Sequence, residues 1–201
     1  PSPVATARDL EERFAAAGLV LAVNAQWLWV LPAFEELTGR SAHGATSLAM
    51  GMSPASEGDG MLRDALPHPL SVAQALRPDL EAADDLAFEH PRADVLRVNA
   101  RLHGPSGELA LDVHLDGAAG ETPREAWLAV DGVRADRCVR VRDYAMFLRS
   151  GARLVDLPDP LEARLRAFLE DVRAADGAPR EVDRRVSKRA AMLEAFVRAY
   201  A

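Results

Sequence analysis

The chain has 201 residues, a formal net charge of −7 and 49% hydrophobic residues. That suffices for a sizeable core, and the acidic balance argues against general binding to DNA or to an anionic membrane surface. No run reaches the roughly 18 to 20 apolar residues of a membrane span. Pro1 to Arg13 shows no apolar signal core and Cys138 is the only cysteine, so no internal disulfide can form and a reduced, cytoplasmic location is expected. Isoleucine is absent and Lys188 is the only lysine among 24 basic residues. This is the composition of a very GC-rich bacterial genome, in which arginine abundance by itself says nothing about nucleic acid.

In chain order, Ala5 to Ala17 reads as a helix capped by Thr6 and ended by Gly18. Leu19 to Val23 and Trp27 to Leu31 read as short apolar strands. Ala33 to Thr38 reads as a short helix stopped by Gly39, and Thr46 to Met52 as a further strand. Ser53 to Gly60 is rich in turn formers and reads as a loop. Ser71 to Leu86 reads as a helix broken near Pro78, with the acidic residues Asp79 to Glu89 as its solvated face. Leu96 to Leu102 and Leu109 to Leu115 alternate apolar with polar residues around Gly104-Pro105-Ser106-Gly107, which predicts an antiparallel hairpin pairing His103 with Glu108 and Arg97 with His114. Thr122-Pro123-Arg124-Glu125 has the form of a capping box and predicts a helix start. That helix either ends at Asp131-Gly132 or runs toward Leu148. Gly151 to Pro160 reads as a linker. Asp159-Pro160 opens an amphipathic helix with Leu161, Leu165, Phe168 and Val172 on one stripe. Gly177-Ala178-Pro179 breaks it, and a last helix carries Val186, Leu193, Val197 and Tyr200. The expected fold class is α+β: an antiparallel sheet with flanking helices at 1–150 and a C-terminal helical extension at 151–201.

Tests for chemistry give nothing positive. The five histidines are scattered, and His103, His114 and Asp112 fit a solvated sheet face better than a metal or acid–base site. Gly51-Met52-Ser53-Pro54-Ala55 lacks the last glycine of a nucleophile elbow. Cys138, flanked by Arg137 and Arg140, reads as structural. Neither GxGxxG nor GxxxxGK[ST] occurs. The expectation is therefore a protein that is not an enzyme and has no catalytic residues, cofactor or metal.

The remaining signal lies in the tail. From Arg180 onward six basic residues (Arg180, Arg184, Arg185, Lys188, Arg189, Arg198) face three acidic ones, an asymmetry that would suit an acidic partner. With the apolar positions Leu161, Leu165, Phe168, Leu193 and Val197, the basic side chains Arg180, Arg184, Arg185, Lys188 and Arg189 form the expected partner-binding surface. The chain itself, as a homodimer, and a second protein are the expected partners; nucleic acid is a lesser alternative and no membrane is involved.

The element order helix, strand, strand, strand, helix, hairpin, capped helix resembles that of type III secretion chaperones and YbjN-like proteins, most closely over Val95 to Val133. This resemblance implies a non-enzymatic, chaperone-like or adaptor protein, often dimeric and in some members stress-related. Gly18 to Ser41, with Pro32-Ala33-Phe34-Glu35-Glu36-Leu37-Thr38-Gly39, resembles instead the opening of a PAS domain and implies a sensory or regulatory module. Strands at Ala126 to Val130 and Val139 to Val141 would favour the PAS reading; a long helix there would favour the chaperone.

Overall fold

Hydrophobic alternation sets the first half of the sheet. In the computed structural model, which describes residues 2–56, 60–117, 126–174 and 185–201, β3 (Val95–Gly104) and β4 (Gly107–Asp116) pair antiparallel in the expected register, His103 opposite Glu108 and Arg97 opposite His114. One face carries Leu96, Val98, Leu102, Leu109, Val113 and Leu115, each fully buried. The other carries Arg97, Arg101 and Asp112. A period of two puts every second side chain on one face, so the pattern fixes the register.

The sheet has eight strands in the order β2-β3-β4-β1-β5-β6-β7-β8. The central strand β1 (Ser47–Met52) runs parallel to β4 and antiparallel to β5 (Ala126–Val130). The sheet is therefore mixed rather than purely antiparallel as expected, although the α+β class with flanking helices stands. Val98, Val113, Met50, Leu128 and Ala135 form one fully buried row across five strands. Helices cover this face. Among them, α4 (Pro67–Leu76) buries Leu70, Val72, Ala73 and Leu76, and α6 (Val186–Tyr200) buries Met192 and Phe196.

Several expectations hold locally. The first helix, α1, spans Pro3–Ala16 and is capped by Ser2 rather than Thr6, with Ala5 N donating to Ser2 Oγ at 3.2 Å. In α2 (Leu31–Thr38) the chain stops at Gly39, whose φ of 69° needs no Cβ. The helix α5 (Pro160–Arg173) starts on Asp159, whose Oδ1 accepts from Leu161 N at 2.8 Å.

Other segments differ for physical reasons. Leu19 to Val23 has no strand partner, and Trp27 to Leu31 enters a 3₁₀ turn, Gln26–Val30, that buries Trp27 and Val30 three residues apart. The acidic stretch beyond Pro78 is strand β2 (Ala82–Arg92), paired with β3 and bulged near Asp85, whose φ is 49°. Its apolar positions, Ala83, Leu86 and Phe88, pack on the core. The capping-box residues 122–125 and the break at 177–179 lie outside the described residues. From Ala126 the chain is strand, not helix: β5 turns at Asp131-Gly132 into β6 (Val133–Val139). Asp-Gly between alternating apolar residues is a hairpin signal, and both residues take positive φ, 46° and 76°. The expected linker carries β8 (Arg153–Leu157), paired with β7 (Met146–Ser150).

Asp131 also ties the hairpin to β1. Its Oδ1 accepts from Thr46 N and Ser47 N, both at 2.9 Å, and from Thr46 Oγ1 at 3.0 Å. Burial pushes this carboxyl up, but the bonds from Thr46 and Ser47 outweigh it and hold the group below its ordinary 3.8. A depressed carboxyl adds stability that is complete above its ordinary value and lost as pH falls through the folded one. Asp131→Ala is expected to cost about 1 kcal/mol at pH 7, given the exposure of the site. The urea midpoint should fall with the slope unchanged, and the gap to the parent should close in acid below about pH 4.

Candidate active site

The helix-covered face of the sheet has a polar break at the end of β1. At the C-terminal end of β1 the backbone leaves the sheet through Ser53 and Pro54, and a cavity of about 250 Å³ opens there. Its walls come from six elements. Met52 and Ala126 form the sheet floor, Arg137 projects from β6, Trp27 closes one side from the 3₁₀ turn, and Asp64 and His68 enter from α3 (Gly60–Ala65) and α4.

Asp64 and His68 stand four residues apart on either side of Leu66-Pro67. Helical geometry places residues at that spacing on one face. The chain keeps its helical course through the junction, with Leu66 N donating to Leu62 O at 3.0 Å and Leu70 N to Leu66 O at 3.2 Å. Asp64 is itself positioned: its Oδ2 accepts from Ala55 N at 3.1 Å and from Ser56 N and Oγ at 3.3 Å each. The loop after β1 is thus tied to the acid. His68 is half buried. Burial lowers its pKa below the ordinary 6.5; the Asp64 carboxylate opposes that, and the Arg137 guanidinium adds to it. The imidazole is therefore neutral at pH 7 and able to accept a proton. Burial also lowers the pKa of Arg137, whose guanidinium carbon lies 5.3 Å from the centre of the Trp27 ring.

Two wider depressions, of about 410 Å³ beside α5 and about 350 Å³ on the open sheet face, are lined by solvated charges such as Glu162 and Arg166, 2.6 Å apart, and Arg101 and Asp85, 3.4 Å apart. Size favours them, but chemistry favours the smaller cavity, because only there is a histidine held neutral by burial beside an acid.

The tail residues are dispersed. Leu161 and Leu165 are 42% and 54% exposed, Phe168 is half buried, and α5 turns Arg164 and Ala167 inward instead of the leucine stripe. On α6 the inward positions are Arg189, Met192 and Phe196, while Leu193 and Val197 flank them partly buried. Arg189 Nε donates to Gln74 Oε1 at 3.0 Å, Lys188 Nζ pairs with Glu81 at 2.6 Å, and Arg185 Nη1 reaches Gln74 O at 3.5 Å. Arg180 and Arg184 lie outside the described residues. His103 pairs with Asp84 at 2.6 Å, and His114 with Asp112 at 3.0 Å. Among the described residues no three His, Cys, Asp or Glu side chains could hold a metal, and no helix is long and apolar enough to cross a membrane.

Asp64, His68 and Arg137 were not singled out by the sequence. The acid and histidine at helical spacing are a signal it carried, set in a largely apolar run, Met61 to Leu76. Arg137 became visible only once β6 was a strand, since Val133, Ala135 and Arg137 then share its inner face.

No family model matches the chain, and no curated protein matches it. Solved structures do. UDP-N-acetylglucosamine 3-dehydrogenase GnnA from Acidithiobacillus ferrooxidans is 19% identical over 98% of this chain and 67% of its own, with a TM-score of 0.60. An oxidoreductase from Sinorhizobium meliloti is 15% identical over 100% of this chain and 68% of its own, with a TM-score of 0.60. A Gfo/Idh/MocA family oxidoreductase from Vibrio cholerae is 15% identical over 90% and 61%, with a TM-score of 0.50. The chain spans about two thirds of the length of these proteins. At such identity the likeness is one of fold. It overturns both resemblances, the one drawn from element order and the one drawn from Gly18 to Ser41: the fold is not that of a secretion chaperone or YbjN-like protein, nor of a PAS domain, even though strands do occupy 126–130 and 133–139. The adaptor, sensory, nucleic-acid-accessory and stress-response readings are corrected with them; the solved structures named above, which share this fold, are described as oxidoreductases. The expectation of a non-enzymatic protein is corrected on the same finding.

A folded-state pKa below the ordinary value gives His68 a stability contribution that is complete above 6.5 and lost as pH falls, because the unfolded chain takes up the proton first. Thermal unfolding followed from about pH 7.5 down to 5 should show a loss that is smaller in His68→Gln than in the parent.

Proposed function

We propose that this chain supplies the proton-transfer side of an oxidoreductase acting on a hydroxyl or carbonyl group. The observation that carries the reading is the Asp64–His68 pair in the cavity at the end of β1, with the imidazole kept neutral by burial. A substrate hydroxyl seated there would give its proton to His68 as the carbon is oxidised; in the reverse direction the imidazolium returns it to the carbonyl oxygen. Asp64, fixed by the Ala55–Ser56 turn on the same helical face, stabilises through its charge the imidazolium that forms. The names of the fold neighbours support this chemistry, since dehydrogenation removes a proton and a hydride from one alcohol.

Such chemistry implies a redox cofactor, and the residues of this chain do not fit a dinucleotide. No GxGxxG loop follows a strand, and among the described residues only β1 and β4 pair in parallel, so the strand–loop–helix cradle for a pyrophosphate is not formed here. The electron acceptor would be held by another domain or subunit. The residues of this chain bind the alcohol, orient it and move its proton.

The test is turnover of sugars, sugar acids and nucleotide sugars by the protein purified from its host with whatever copurifies. His68→Gln is expected to lower kcat by about 10²- to 10⁴-fold, and Asp64→Asn by less, with KM little changed. The acid limb of the pH profile should lie below 6.5, where His68 gains its proton. Variants that keep parental turnover at both positions would overturn the assignment.

A further inference from the structure

Among the described residues nine large apolar side chains are left exposed, and four of them lie on α5: Leu161, Leu165, Leu169 and Val172, at 42%, 54%, 49% and 49%. Steps of four, four and three residues put these four on one helical face. The other side of the helix is the one that docks. Arg164 and Ala167 are buried there, and Arg164 Nε donates to Val23 O at 2.9 Å. Helix propensity does not explain the stripe, because Glu, Gln or Arg would serve a solvated face as well as leucine. While α4 and α6 turn their apolar faces inward, α5 presents its own to water. A contiguous apolar strip of this kind marks a surface that a partner covers.

We propose that the cover is a second copy of the chain, with the two α5 helices paired antiparallel through Leu161, Leu165, Leu169 and Val172. Charge beside the stripe selects this occupant. Glu162 and Arg173 are both exposed and flank the stripe on the same side, the acid at the start of the helix and the base at its end. A two-fold axis near Ala167 sets Leu165 beside Leu169 of the partner subunit and Leu161 beside Val172 of the partner subunit. The same axis brings Glu162 to Arg173 of the partner subunit, twice over. A parallel copy would set each of these charges against its own kind. The six charged residues of α5, three acids and three arginines, sum to zero, so the contact itself escapes the repulsion between two chains of −7. One helix of 14 residues is about 21 Å long. A contact along it falls short of the roughly 800 Å² per partner of standard interfaces, so the dimer should dissociate in the micromolar range. The pairing is independent of the chemistry assigned to His68.

The test is sedimentation velocity of the full chain over about 1 to 500 μM. The parent should pass from monomer to dimer as concentration rises. Leu165→Glu, at a position already 54% exposed, should stay monomeric and keep the parental urea midpoint. Glu162→Arg and Arg173→Glu should each weaken self-association about tenfold, because the two-fold axis makes both symmetric pairs repulsive. Mixed in equal amounts, those two variants should form a heterodimer, since every pair is then again of opposite sign. If Leu165→Glu fails to fold, the charge reversals, confined to exposed positions, still decide. A parent that stays monomeric over the whole range overturns the proposal and leaves the stripe to a different partner. A dimer that Leu165→Glu leaves intact overturns it too, by moving the interface off α5. A dimer lost in Leu165→Glu but indifferent to both charge reversals overturns the antiparallel pairing.

Discussion

The pairing of β1 between β4 and β5 is the constraint on which everything else depends. β1 is six residues long, yet it joins the β2–β3–β4 half of the sheet to the β5–β8 half. Its backbone bonds both ways, and its inward side chains Leu48, Met50 and Met52 complete rows that start on β3 and end on β6. A slip of one residue would turn these three to solvent and bring Ala49 and Gly51 inward. Gly51 fits only its present place, because the Trp127 indole lies over it on the open face and leaves no room for a Cβ. Asp131 completes the lock by binding the Thr46 and Ser47 amides where the strand begins.

The same strand creates the site. The cavity forms where β1 stops pairing and the chain must climb from the sheet to α3, so the Ala55–Ser56 turn, the acid it holds and the histidine one helical turn on arise from a single change of direction. Met52 and Ala126 continue the sheet as a floor and Arg137 ends it. The electrostatics follow from position. A buried imidazole between a carboxylate and a guanidinium stays neutral because desolvation and the like charge together outweigh the acid. On the open sheet face, His114 has an acid at 3.0 Å and an edge contact to Trp127 with ring centres 5.4 Å apart.

Order of elements proved a poor guide to fold because α+β proteins of different topology share similar strings of helices and strands. The chaperone-like reading required a helix after the hairpin, and Thr122 to Glu125 offered a start for one. From Ala126, however, Trp127-Leu128-Ala129-Val130-Asp131-Gly132-Val133 is a strand leading into a two-residue turn, and its partner, β1, lies almost eighty residues earlier. The acidic run after Pro78 was similarly misjudged: its charges stand on the solvated side of an edge strand, where Asp84 meets His103 and Asp85 meets Arg101. An edge strand dense in carboxylates resists pairing with other chains, a property that mimics a solvated helix in sequence.

What the sequence determined by itself was local. Alternation over Leu96 to Leu115 fixed a hairpin down to its register, Gly39 fixed the end of a helix, and Asp159-Pro160 fixed the start of another, because each rests on contacts within a few residues. The tertiary structure decided the rest. It made β1 parallel to a strand more than sixty residues away, left Leu19 to Val23 without a partner, and turned Met192 and Phe196 of the last helix into the core instead of the stripe that periodicity suggested. It also brought together Trp27, Asp64, His68 and Arg137, which span more than a hundred positions. No local pattern encodes such a meeting, since the burial that tunes His68 exists only once the sheet has closed around β1.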